Sequence, residues 1–213
     1  MSGLHFGHYK AAVDSDYMSE MHSLMSTIAT ATGYSFDRWQ NGLTVLLEKK
    51  EGLRIIQKLR AILLMEADFN MVNKIMIGDR MIKQAEKHGE LPADTIGGRK
   101  DMASHEGGLN RVLMSDVSRQ RRQDLLMLSE DADTCYDRMQ HTGISLSTRR
   151  LGVPTPTNTT MLVTLQQMRF FLRTGFGTSS TYFGRQQLTP FQGGCQGNGA
   201  APGFWLAISI VLI

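Results

Sequence analysis

Residues 204–213 read FWLAISIVLI, a run that water will not tolerate exposed. A bilayer span needs about 20 apolar residues, roughly twice what this run supplies, so the segment predicts a buried element of a globular core. It follows the glycine-rich turn QGNGAAPG and reads as an apolar helix. The run has no cap, turn or polar tail, so the chain is expected to continue into further structure. A chain of 213 residues is long enough to build a sizeable core around it.

The rest of the sequence predicts a mixed order of helices and strands. Asp14 or Ser15 caps a helix carrying Met18, Met21, Met25 and Ile28 at helical spacing, and Gly33 stops it. The run 43–47, the turn KKEG and the segment LRAILL predict a hairpin edged with Lys49, Lys50, Arg54, Lys58 and Arg60. A helix is expected over 68–89, a loop around Pro92, Gly97 and Gly98, and a second amphipathic helix in GGLNRVLMSDVSRQRRQ. The segment DLLMLSED predicts a buried strand, 152–160 a polar loop, MLVTLQQMRFFLRT a helix, and GFGTSSTYFGRQQLTPFQGG a hairpin. The expected class is α+β.

Charge is distributed unevenly. Residues 138–213 contain six Arg, no Lys, and no Asp or Glu, a charge of +6 against +3 for the whole chain. Just before them Glu130, Asp131, Asp133 and Asp137 crowd together. A basic third beside an acid cluster reads either as a solvated surface bias or as a site for a polyanionic partner with a cation. The acids themselves read in two ways: a Mg²⁺ site at the end of a strand, or a cap for the helix that follows. Cys135 and Cys195 offer neither a disulfide framework nor zinc spacing, and no apolar leader is present at the N-terminus, so an intracellular location (cytoplasm or nucleus) is expected. His5 and His8 form a lone HxxH with no further ligand pair. GCQGNG lacks the spacing of a dinucleotide fingerprint, and no phosphate-loop Lys follows it.

Several segments, taken in order, resemble reverse transcriptases of the non-LTR retroelement type. LRAILLMEADFNMVNKIM, residues 59–76, is similar to the family's finger segment R-P-I-S-L…N-K, with Ala61 for the Pro and Leu63 for the Ser. LPADTIGGRK resembles the loop between fingers and palm. Asp131, Tyr136 and Asp137 match the palm motif Asp, four residues, aromatic, Asp. QGNGAAPGFW is similar to Q-G-x-x-x-S-P-x-L-F, with Ala201 for the Ser.

The resemblance implies a right-hand polymerase fold with an antiparallel palm sheet packed on helices: a lead-in over 1–42, fingers over 43–123 and a partial palm over 124–213. It implies that Asp131 is the catalytic residue and metal ligand, that Lys49 or Lys50 and Arg60 clamp the triphosphate, that Tyr136 lies under the nucleotide sugar, and that Gln196 and Gly197 floor the nucleotide. The implied partners are an RNA template with a DNA primer, a dNTP, two Mg²⁺ ions and the remainder of the polymerase polypeptide, with no membrane. The family's second acidic motif, Asp-Asp, has no counterpart after Asp137. A fragment inactive alone is therefore expected; the alternative is a non-catalytic nucleic-acid-binding remnant.

Overall fold

The computed structural model describes residues 2–52, 55–127, 132–185 and 191–212. Two helices open the chain, α1 (Phe6–Ala12) and α2 (Asp16–Thr32). His5 and His8 cap α1 reciprocally: the His5 ring accepts from the Gly7 N–H, and the His8 ring accepts from the His5 N–H. Ser15 caps α2 through the Met18 N–H, and Gly33 ends it at φ 80° while donating to the Ala29 carbonyl.

The expected hairpin forms from β1 (Asn41–Glu48) and β2 (Leu59–Leu64), paired antiparallel. The expected 68–89 helix also forms, as α3 (Ala67–Asn73), a π-helical stretch Lys74–Met81 and α4 (Ile82–Lys87). The second amphipathic helix is α5 (Ser104–Arg121).

Four expectations change after that point. Residues 124–127 form no strand and are exposed, Leu126 to 92%; the rest of DLLMLSED lies outside the described residues. The expected loop 152–160 is mostly helix, because α8 (Thr155–Gln166) follows α6 (Cys135–Arg138) and α7 (His141–Arg150). Threonines look loop-like in sequence, but here their hydroxyls donate back to carbonyls one turn earlier, as Thr164 does to Thr160. The expected helix 161–174 breaks, and Arg169–Thr174 becomes strand β3. The segment 175–194, expected as a hairpin of its own, gives instead one strand, β4 (Gly177–Gly184), paired with β3, and 186–190 lie outside the described residues.

The sheet order is β2-β1-β3-β4. The β1–β3 pair is parallel, running from Asn41 opposite Arg169 to Val45 opposite Arg173, so the sheet is mixed and not antiparallel. Strands from both sides of residue 123 share this one sheet. The last element, α9 (Ala201–Leu212), is the helix that FWLAISIVLI predicts.

Two cores form. One lies under the sheet, where Trp39, Leu63, Phe69, Leu165, Met168 and Phe170 meet. The other joins the helices, where Ile77, Met81, Ile144, Met161, Phe204 and Leu206 meet. Among the described residues no helix is long and apolar enough to cross a membrane.

Candidate functional site

The loop 191–200 threads between the neighbouring elements β2 and α3 on one side and α6, much further along the chain, on the other. On one side it meets β2, where the Leu63 N–H donates to the Gln196 carbonyl at 2.7 Å. At Gly197 the backbone takes φ +112°, which L side chains rarely adopt, and a Cβ there would overlap the Leu63 carbonyl oxygen. Only a glycine brings the two backbones this close.

Helix α3 holds the next residues. The Asn70 amide works with both ends: its NH₂ donates to the Gly197 carbonyl at 3.1 Å, and its oxygen accepts from the Gly199 N–H at 2.6 Å. One turn on, the fully buried Asn73 donates to the Asn198 side-chain oxygen at 3.0 Å, and that oxygen also accepts from the Ala200 N–H. The remaining halves of this pair, Asn73 Oδ1 and Asn198 Nδ2, are buried without a partner. The bonded halves still fix the loop, because breaking them would leave further buried polar atoms unpaired.

On its other side the loop meets α6. The Gly194 N–H donates to the Tyr136 carbonyl at 2.6 Å, and the Gly193 N–H to the Met139 carbonyl at 2.7 Å. The Asp137 carboxyl faces the Gln196 N–H. Burial pushes the Asp137 carboxyl above the ordinary range, and the Gln196 N–H opposes that only in part. Burial first, and the Asp137 charge second, push the Cys195 thiol up to about 12. His141, at the start of α7, is buried and its pKa lowered by desolvation, offset by its bond to Gly193. The neutral ring donates from Nε2 to the Gly193 carbonyl at 2.9 Å and accepts at Nδ1 from Gln166 at 3.1 Å. A cleft of about 240 Å³ opens between these segments, lined by Thr44, Leu63, Asp137, Phe183, Gln192 and Gln196 among others.

The residues singled out from sequence fall in different places. Asp131 lies outside the described residues. Gln196 lines the cleft, and Gly197 adjoins it as the point of closest approach to β2. The Tyr136 ring packs against the helical core, while its neighbour Asp137 lines the cleft. Lys49 and Lys50 sit in the exposed turn of the first hairpin, and Arg60 lies exposed on β2 opposite Leu47. None of these three cations lines the cleft.

Sequence reading assigned no role to Asn70, Asn73, Asn198 or His141. The Asn-Lys of the finger segment and the Gln-Gly-Asn-Gly of the loop were visible as motifs, but their contact with each other was not. Asp133 is exposed and paired with Arg138 at 3.1 Å. Among the described residues no three His, Cys, Asp or Glu come together to hold a metal ion. Those carboxylates therefore do not form a two-metal cage, which needs several acids to hold two dications about 4 Å apart.

The chain matches no protein-family model, and a search of curated proteins finds no match.

Proposed function

We propose that this chain is the fingers and first part of the palm of an RNA-directed DNA polymerase of the non-LTR retroelement type. In this reading it binds primer–template and nucleotide and does not complete nucleotidyl transfer alone. One observation carries the reading. The segments that resemble polymerase motifs are distant in sequence, yet hydrogen bonds link Leu63, Asn70 and Asn73 of the first and Tyr136 of the second to the loop 194–198 beside one cleft. The Gln196–Gly199 backbone is held rigidly from both sides, as a surface that floors a nucleotide must be, since a loose floor forfeits orientation.

The roles follow from residue chemistry. Lys49, Lys50 and Arg60 on the first hairpin would neutralise a triphosphate closing onto the cleft. Arg169, Arg173 and Arg185 would add phosphate contacts along the primer–template. Asp137 is a positioning residue in this reading, because its carboxyl lines the cleft and faces the Gln196 N–H. Mg²⁺, when bound, supplies charge neutralisation at the transferring phosphate. The described carboxylates do not fit two such ions, so no catalytic step is assigned to them.

Primer extension on poly(rA)/oligo(dT) with Mg²⁺ and dTTP, alongside salt-dependent binding of the same duplex, tests the reading. The expected result is binding that weakens steeply with salt and is reduced in a Lys49→Ala/Lys50→Ala/Arg60→Ala variant, with no extension. Extension that disappears in Asp131→Ala would make the chain a complete catalyst. Absence of duplex binding would remove the polymerase reading altogether.

A further inference from the structure

Helix α5 has 18 residues, Gly107 and Gly108 in its N-terminal part, and no buried residue. Helices draw most of their stability from packing an apolar face, and glycines weaken them further. Yet α5 carries an apolar stripe at helical spacing: Leu109, Val112, Leu113 and Val117 are exposed to 56, 57, 51 and 45%. Asp116, within the stripe, is held by Arg119 of the same helix at 4.0 Å. This is a face made to be covered.

The charges on α5 say what covers it. The acid of the first turn is Glu106, and the last turn carries Arg119 and Arg121. Two copies of α5 laid antiparallel about Leu113 place Leu113 against its own copy and Leu109 against Val117 of the other. The same register sets Glu106 of each copy opposite Gln120 of the other, between Arg119 and Arg121. Apolar and charged positions match at once, and the two helix dipoles oppose favourably. A parallel pairing would instead stack Arg on Arg and Glu on Glu.

We infer that α5 is a self-association surface, through which two copies of this chain form a two-fold antiparallel helix pair centred on Leu113. The contact is isologous and closes on itself, so it gives a dimer and not a filament. It does not depend on the polymerase reading.

Sedimentation velocity across a concentration series tests this. The intact chain is expected to pass from monomer to dimer, and Leu113→Asp to weaken the dimer about tenfold or more. Leu113 is half-exposed in the monomer, so that variant should keep the urea transition of dilute wild-type protein. Glu106→Arg alone should weaken the dimer about fivefold, and adding Arg119→Glu and Arg121→Glu should restore it. Mild oxidation of Leu113→Cys should give a crosslinked dimer that wild-type protein, with Cys135 and Cys195, does not give. A monomer at every concentration would overturn the inference, as would a dimer indifferent to Leu113→Asp or unrescued by the charge swap. An acidic partner helix from another protein would leave the chain monomeric and so also count against it.

Discussion

Gly197→Ala isolates the contact on which the candidate site depends. Two penalties add. The first is backbone: φ +112° lies where an L residue is strained, costing about 1–2 kcal/mol. The second is steric: a Cβ would overlap the Leu63 carbonyl oxygen and come within 3.2 Å of its carbon and 3.3 Å of its nitrogen. β2 and the loop must then separate, which costs about 1–3 kcal/mol of packing. Separation also strains the 2.7 Å bond from the Leu63 N–H to the Gln196 carbonyl, worth about 1–3 kcal/mol when left unmade in a buried place. The total is roughly 3–8 kcal/mol, a large part of the roughly 5–15 kcal/mol by which domains of this kind are stable.

Gly152 supplies the matched control. It has φ +87° and nothing within 4 Å of where a Cβ would lie, so Gly152→Ala keeps only the backbone penalty, about 1–2 kcal/mol. Urea titration followed by tryptophan fluorescence reads both, since Trp39 and Trp205 belong to or pack against the two cores. With a slope of about 2 kcal/mol per molar urea, Gly197→Ala should lower the midpoint by roughly 1–3 M more than Gly152→Ala does. Equal midpoints for the two variants would refute the close approach of loop and strand.

Two further outcomes are expected. Arg38 forks onto Asp68 and lies 3.7 Å from Glu66, and both carboxylates are buried, so Arg38→Met should cost about 3–5 kcal/mol; the exposed Lys83–Asp79 pair should cost under about 1 kcal/mol when Lys83→Met breaks it, and the two urea midpoints compare them directly. The buried His141 binds protons less readily folded than unfolded, so its contribution is complete above the ordinary value of 6.5 and is lost as pH falls from there through its lowered folded value; urea midpoints from pH 7.5 down to 5.5 should fall more in wild type than in His141→Gln, and parallel curves would remove His141 from the account.

Local signals were sufficient where the chain's own chemistry closes a structure. Ser15 and Gly33 bound α2 because a hydroxyl cap and a left-handed glycine satisfy the helix ends without outside help. The first hairpin and α9 were legible for the same reason: their apolar spacing and turns are set by neighbours in sequence. In the candidate site, Gln196, Gly197 and the Tyr136–Asp137 pair could be picked out as motifs, but not what holds them.

Tertiary structure decided the rest. MLVTLQQMRFFLRT is apolar enough for either a helix or a buried strand, and it divides at Gln167–Met168 because parallel pairing with β1, more than 120 residues away, is open only to its second half. The threonines of α8 take helical form because the buried Thr160 hydroxyl also reaches the Ala29 carbonyl of α2 at 2.6 Å, a partner invisible along the chain. The amide clasp of Asn70 and Asn73 on the 197–199 loop spans similar distances. Sequence by itself determined the caps, the first hairpin and the apolar helix α9, where neighbours in the chain supply the signal. Which of them meet was decided only when long-range hydrogen bonds and shared cores outweighed local preference, since a polar side chain's role depends on the partner folding brings to it.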